Sequence, residues 1–224
     1  MRGIRSAYSL FAGCGKVQVL VETFFMSLEY FFDCSSPWTY LSYKRIEHIC
    51  AATKTELIWK PFLVGGVFNA VNQSVYEARA NPVPVKARYY HKDLQDWARY
   101  QGIIIGQPPV FPVNSVKAMR GCFVALESDC ISSYAEQVFK AYWTELKDIS
   151  QDEVLADIVK NCMLDEADFF ERISSDVYKQ KLRANTEELV ERGGFGSPTI
   201  FIDSEDMYFG NDRLELVEHK LKEG

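Results

Sequence analysis

The chain has 224 residues and a formal net charge of −6, and it is 47% hydrophobic and 25% charged. That length suits one domain with a generous core, or one domain carrying a large insertion. An acidic balance with no basic stripe argues against a nucleic-acid partner, and no run approaches the ~20 apolar residues of a membrane-spanning helix.

Residues 1–25 place Arg2, Arg5 and Lys16 before the first acid, Glu22, among serines and small residues. Such a stretch can be an organelle transit peptide, which would make the protein mitochondrial; Val17–Val21 also has strand propensity. The plainer reading takes Met26 as the functional start and residues 1–25 as an N-terminal extension without a role.

Leu28–Asp33 is an apolar, aromatic run bounded by a turn, and reads as a short buried strand. Tyr40, Leu41, Tyr43, Ile46 and Ile49 then recur at three- and four-residue steps, which predicts a helix over 37–51 with Pro37 as its first residue. Thr55–Pro61 is a second strand closed by proline. Strand, helix, strand over this distance is a βαβ unit with parallel strands.

Phe62–Val75 is apolar with Gly65-Gly66, and Arg79–Pro84 carries two prolines and reads as loop. Helical spacing returns over 86–101, with Tyr89, Tyr90, Leu94, Trp97 and Tyr100 on the apolar face and Gly102 as the stop. Pro108–Asn114 is a rigid connector. Helices follow over 115–128, 133–143, 151–160 and 166–173, the last two with Ser150 and Asp165 as caps. A long amphipathic helix over 176–192 presents Val177, Leu182, Leu189 and Val190. Thr199–Asp203 and Met207–Phe209 are strands around a turn, and Gly210-Asn211-Asp212-Arg213 opens a last helix with Leu214, Val217 and Leu221 inward.

The order βαβ, then helices, then ββα is that of an α/β, thioredoxin-like core with a large all-helical insertion between its halves. The expected division is 26–62 with 193–224 for the thioredoxin-like domain and 63–192 for the helical insertion domain.

Three constellations could carry chemistry. The first is Ser36, at the strand-to-helix turn. The first N–H groups of a helix lack partners and the dipole there is positive, so an anion is stabilised and a hydroxyl adds one more hydrogen bond. On local sequence alone, an ordinary helix cap is the commoner use of such a serine. Where redox members of the fold carry C-x-x-C, this chain has Ser36-Pro37-Trp38-Thr39, and Cys34 lies two residues too early. A dithiol–disulfide cycle needs two thiols, so the site could bind a thiolate but not supply one. The second is Ser197-Pro198. A proline before a strand that faces this turn is usually cis in the thioredoxin fold, which leaves the backbone of Ser197 open to a peptide-like ligand such as glutathione. The third is Phe209-Gly210-Asn211-Asp212. Asn211 or Asp212 can cap the last helix, or bind the γ-glutamyl end of that tripeptide. Cys14, Cys34, Cys50, Cys122, Cys130 and Cys162 form no C-x-x-C, and none pairs with His48, His91 or His219 at zinc-ligand spacing. No metal site is expected, and the thiols read as reduced in a cytoplasmic compartment.

Tyr30-Phe31-Phe32-Asp33-x-x-Ser36-Pro37-Trp38, Lys60-Pro61 with Gly65-Gly66-Val67-Phe68, Asn72-Gln73-Ser74 and Lys92-Asp93-Leu94-Gln95-x-Trp97-Ala98 form an ordered series. It continues with Phe111–Ser115, Phe195–Thr199 and Phe209–Arg213. In this series the chain resembles the glutathione-dependent 2-hydroxychromene-2-carboxylate isomerases, which are similar in turn to kappa-class glutathione transferases. The resemblance implies that Ser36 binds the glutathione sulfur, that Ser197 and Pro198 hold its cysteinyl part, and that Phe209 to Asp212 grip its γ-glutamyl end. Asn72 and Asn114 match positions that contact a small aromatic electrophile. Relatives often carry a lysine a few residues before the Asn72 position; here Asn69 is the nearest polar residue, with Arg79, Lys86 and Arg88 as basic substitutes. The implied reaction is glutathione-dependent isomerisation; the alternatives are a conjugating transferase and a protein that keeps the pocket without turnover. A homodimer is the assembly these families imply. Of the aromatics Phe68, Tyr89, Tyr90 and Trp97, which could line a pocket, most are expected in the core, as aromatics at helical period usually are.

Overall fold

The computed structural model describes residues 26–223. The Val17–Val21 strand and the transit-peptide reading both lie outside those residues.

Four strands form one sheet in the order β2-β1-β3-β4. β1 (Ser27–Phe32) runs parallel to β2 (Glu56–Pro61), with Tyr30 opposite Trp59 and Phe32 opposite Pro61. β3 (Thr199–Ile202) pairs antiparallel with β1, and β4 (Asp206–Phe209) antiparallel with β3. Pro61 ends an edge strand, where a missing N–H breaks no central ladder. β1 is buried on both faces because both faces of the sheet are covered, and its one charged residue, Glu29, is paired with Arg192 and Lys60. Leu28, Tyr30 and Phe32 enter the main core, while Phe31 packs behind the sheet with Phe62, Val67, Leu189 and Phe201. Each such buried aromatic contributes roughly 1.5–3 kcal/mol of transfer free energy.

α1 (Pro37–Thr53) connects β1 to β2 and buries Tyr40, Leu41, Tyr43, Ile46 and Ile49. Its end is set by Lys54 in the left-handed region, φ 53°. Between β2 and β3 in chain order come α2 (Val64–Val71), α3 (Ser74–Ala80), α4 (Pro84–Tyr100), α5 (Val116–Glu127) and α6 (Ile131–Phe139). A π-helical turn (Lys140–Thr144), α7 (Asp152–Asn161), α8 (Glu166–Ser174) and α9 (Asp176–Glu191) complete that stretch. A 3-10 turn (Asn211–Arg213) then leads into α10 (Leu214–Glu223), which packs on α1 through Leu214, Val217 and Leu221. This is the thioredoxin-like α/β arrangement that the element order implies. The main core runs without a break from β1 and α1 into α5, α6, α7 and α8.

Some local expectations are corrected. Arg79 is helical, in α3, and only Asn81, Pro82 and Val83 separate α3 from α4. The apolar face assigned to α4 is only partly buried: Leu94 and Ala98 enter the core, whereas Tyr89, Tyr90 and Tyr100 are exposed. α7 starts from Gln151 with no side-chain cap, and the Ser150 hydroxyl instead accepts Gln151 Nε2 at 3.0 Å. Asp165 caps α8 as its sequence position implies, accepting from Asp168 N at 2.8 Å. On α9 Val177 faces outward and Tyr178 inward, since Tyr178 bonds Arg172 and Glu127 on neighbouring helices. Neither Asn211 nor Asp212 caps a helix: the 3-10 turn follows Gly210 with no side-chain cap bond.

Candidate functional site

The turn after β1 is held by a buried carboxylate. Asp33 Oδ1 accepts Ser35 N at 2.9 Å, and Oδ2 accepts Val64 N at 2.9 Å and Ser115 Oγ at 3.2 Å. One side chain thus ties the turn to the starts of α2 and α5. Burial pushes the Asp33 carboxyl above its ordinary range, against the pull of those donors.

Ser36 is the N-cap of α1. Its Oγ accepts Thr39 N at 3.3 Å and donates to the Ser197 carbonyl at 3.1 Å. Pro37 has no N–H and Thr39 N is taken. Trp38 N–H is therefore the first-turn amide that has no protein acceptor among the described residues. The Ser197–Pro198 bond is cis, as is Phe111–Pro112. Ser197 Oγ accepts Asp33 N at 3.1 Å and shares a hydrogen bond with Thr39 Oγ1 at 2.7 Å. The two hydroxyl residues that replace C-x-x-C therefore both bond Ser197, across more than 150 residues of chain. Among the described residues, nothing accepts from Ser197 N–H.

Among the described residues, no cysteine offers a thiolate at this turn. Cys34 is fully buried, its N–H meets Met119 Sδ and its carbonyl takes Trp143 Nε1. Burial, followed by the neighbouring Cys122 thiol, pushes the Cys34 thiol well above the ordinary cysteine range. The described cysteines are all free thiols.

Above Ser36 lies a cavity of about 1130 Å³. Asp33, Ser36, Trp38 and Ser197 line it together with Gly65 and Gly66 of α2. The opposite wall comes from Asn72 and α3, the start of α4, and the connector 111–115. Phe195 and Phe209 form one rim, with ring centroids 4.5 Å apart. Gly196 lets the Phe209 ring come close: a Cβ there would sit 2.6 Å from it, so the ring would have to shift. Gly210 turns the chain away at φ 102°.

Ser36, Ser197, Phe209, Asn72 and Asn114 all reach this one cavity. Asn72 Nδ2 donates to the Phe195 carbonyl at 3.0 Å, tying α2 to the Gly-Phe-Gly loop. Asn114 Oδ1 accepts Val116 N at 3.1 Å at the start of α5. Asn69, Pro198, Gly210, Asn211 and Asp212 do not line the cavity. Asn69 Oδ1 accepts the Tyr76 hydroxyl. Asn211 is buried with its amide nitrogen unpartnered, and Asp212 pairs with Arg213 at 2.6 Å. Arg79 and Lys86 line the cavity and Arg88 does not.

Of the four aromatics Phe68, Tyr89, Tyr90 and Trp97, most of which are expected in the core, Phe68 and Tyr90 line the cavity. Trp38 Nε1 donates to the Tyr90 hydroxyl at 2.9 Å, and the two rings meet edge to face at 5.4 Å. Apolar periodicity marks a face that is covered, without saying whether core or cavity covers it.

The fold is shared with known proteins. Residues 27–222 match the DSBA-like thioredoxin domain family, and the chain belongs to that family. It is similar to the 2-hydroxychromene-2-carboxylate isomerase of Pseudomonas putida, 28% identical over 198 residues that span 88% of this chain and 94% of that protein. It is similar also to glutathione s-transferase kappa 2 of Caenorhabditis elegans, 27% identical over 211 residues, 88% of this chain and 92% of that one. A solved structure of a 2-hydroxychromene-2-carboxylate isomerase has a TM-score of 0.75 at 25% identity, covering 88% of this chain and 95% of that chain.

Proposed function

We propose that the protein is a glutathione-dependent isomerase that interconverts 2-hydroxychromene-2-carboxylate and trans-o-hydroxybenzylidenepyruvate. The observation that carries this reading is the 3.1 Å bond from Ser36 Oγ to the Ser197 carbonyl, on the floor of a large, largely apolar cavity whose turn offers no thiolate of its own. The residues fit a tripeptide thiol. Among the described residues, Ser197 N–H and Trp38 N–H are donors without acceptors, Ser197 O is an acceptor whose present donor is a rotatable hydroxyl, and Ser36 Oγ lies at a helix N-terminus. When bound, glutathione supplies a thiolate whose addition to the alkene makes a single bond that can rotate, and whose elimination restores the alkene in the other geometry.

The chain's own residues hold and bias that chemistry. Ser197 presents its backbone to the cysteinyl part in the manner of an added strand. Ser36 rotates its one O–H from Ser197 O toward the sulfur, while the α1 dipole and Trp38 N–H favour negative charge at the same point. A free thiol has a pKa near ~8.5, so these donors raise the thiolate fraction at neutral pH. Phe68, Phe111 and the Trp38–Tyr90 pair exclude water around the conjugated electrophile. Phe209 caps the glutathione end of the cavity, with Gly210, Asn211 and Asp212 shaping the turn behind it.

The similarity to kappa-class transferases supports a second reading, in which the same bound thiolate is conjugated to the electrophile and consumed. A spectrophotometric assay with the chromene carboxylate, run with and without glutathione and followed by thiol quantitation, separates the two. Isomerisation that requires glutathione and leaves its concentration constant is expected. Depletion in step with substrate loss would establish the transferase, and a rate indifferent to glutathione would sink both.

A further inference from the structure

The helical wall of the cavity holds a cation with no anion. Arg79, near the end of α3, lies with its guanidinium carbon 5.5 Å from the Phe68 ring centroid and 5.2 Å from that of Phe111. One ring comes from α2 and the other from the connector, so the guanidinium is bracketed by phenyl groups from two segments. Among the described residues no carboxylate lies within ion-pair distance of it. Arg99, Arg172, Arg183, Arg192 and Arg213 have such a partner; Arg45, Arg88 and Arg120 also lack one among the described residues, but none of these three lines the cavity. Lys86 lines the same wall and, among the described residues, also has no carboxylate partner. The acid that does line the cavity, Asp33, lies at its floor and is committed to Ser35, Val64 and Ser115. Tyr90, on the same wall, accepts from Trp38 through its hydroxyl oxygen and keeps its own proton to donate.

Aromatic rings on a guanidinium occupy its faces and leave its N–H edges free. Those edges match a carboxylate in bidentate geometry, and the bracketing rings hold the fork in place before a ligand arrives. The same rings offer a flat apolar surface to a conjugated group beside the acid.

We propose that Arg79 is the specificity-determining residue of the cavity, selecting electrophiles that carry a carboxylate next to a planar conjugated system. This rests on reading the cavity as the site of the electrophile, and it fixes which basic residue meets the acid. The test is calorimetric titration of trans-cinnamate and of cinnamamide, which share a shape and differ in charge, into the wild-type protein, Arg79→Gln and Arg79→Lys. Wild type is expected to bind cinnamate at least about tenfold more tightly than the amide, the ratio expected for one charged hydrogen-bonded pair. Arg79→Gln should bring that preference below about twofold, and Arg79→Lys should retain part of it, since lysine keeps the charge without the fork. Glutathione affinity should be the same in all three, because Ser36 and Ser197 lie at the floor. Equal binding of acid and amide by wild type, an undiminished preference in Arg79→Gln, or a parallel loss of glutathione binding would each overturn the proposal. These are binding readouts. An Arg79-dependent preference for cinnamate beside a silent chromene assay supports the subsite and removes only the isomerase reading.

Discussion

Replacing Ser36 separates its two roles in the fold. As N-cap it accepts Thr39 N at 3.3 Å, and as donor it holds Ser197 O at 3.1 Å. Ser36→Ala removes both, and loss of the cap costs about 0.5–2 kcal/mol of stability. Ser36→Gly removes the hydroxyl as well, yet glycine at an N-cap costs only a few tenths of a kcal/mol, because backbone exposure there substitutes for the side chain (~0.3 kcal/mol). The catalytic effect is a difference of two bonds. A hydrogen bond to an anion contributes about 1.5–3 kcal/mol, and the neutral bond to Ser197 O that the hydroxyl gives up contributes about 0.5–1.5 kcal/mol. The net is about 1–2 kcal/mol, so kcat should fall about 5- to 30-fold in both variants. Glutathione Kd should change less than about threefold, because backbone groups of Ser197 and Trp38 remain. The assay is steady-state chromene isomerisation at saturating glutathione, with thermal melts alongside. If Ser36→Gly turned over at the wild-type rate, or if its rate loss simply followed its stability loss, Ser36 would be a cap and nothing more.

Three further perturbations have signs fixed by the structure. Asp33→Ala orphans the Ser35 and Val64 N–H groups and the Ser115 hydroxyl, and should cost about 2–4 kcal/mol in denaturant unfolding, at about 1–3 kcal/mol for each buried group left unmade and partial relief from water; a loss within error would mean that the turn does not depend on it. Ser197→Ala removes the acceptor of Asp33 N and the partner of Thr39 Oγ1, and should lower stability by about 1–2 kcal/mol while leaving glutathione affinity within about twofold, since the ligand reads backbone; a tenfold loss of affinity would show that the side chain binds it. Glu29, nearly buried in β1, would have its carboxyl pKa raised by burial, but the Arg192 bond and the Arg192 and Lys60 charges outweigh that and hold it below its ordinary value near 4.5. A lowered carboxyl pKa adds stability that is full above the ordinary value and is lost as pH falls through the folded one. Glu29→Gln should therefore cost about 1.5–3 kcal/mol near pH ~7 and less near pH ~3.5, and a gap that widened toward acid would contradict the sign.

The legible part of the molecule was the part that obeys period. Tyr40, Leu41, Tyr43, Ile46 and Ile49 predict α1, and the same residues are buried. Leu28–Phe32 reads as a short buried strand, and it is one, packed on both faces of the sheet. The βαβ and ββα ends define a fold that brings Ser36 and Ser197 together, 161 residues apart in sequence. The helical wall was less legible. Phe68 and Tyr90 are at core-like spacing, yet the short α2 and α3 and the outward tyrosines of α4 leave those rings around a cavity. Nothing in a one-dimensional pattern distinguishes a face covered by protein from a face waiting for a ligand. Arg79 fell in a stretch read as loop because Pro82 and Pro84 follow it. The helix ends only after Ala80, which is what aims Arg79 between Phe68 and Phe111. Asn211 suited a cap or a ligand contact by type, but the left-handed Gly210 turns the chain so that Asn211 points inward.

The central claim is that this turn binds a thiol and stabilises its anion. Ultraviolet difference titration of the thiolate, with glutathione saturating the wild-type protein and Ser36→Gly, measures that directly. The account predicts a bound-thiol pKa at least about one unit below the ~8.5 of a free thiol in wild type, moving back toward that value by about 0.7–1.5 units in Ser36→Gly, which is the 1–2 kcal/mol difference expressed as proton affinity. A bound thiol that titrates as it does in water, or one whose depressed pKa is untouched by loss of the hydroxyl, would contradict it.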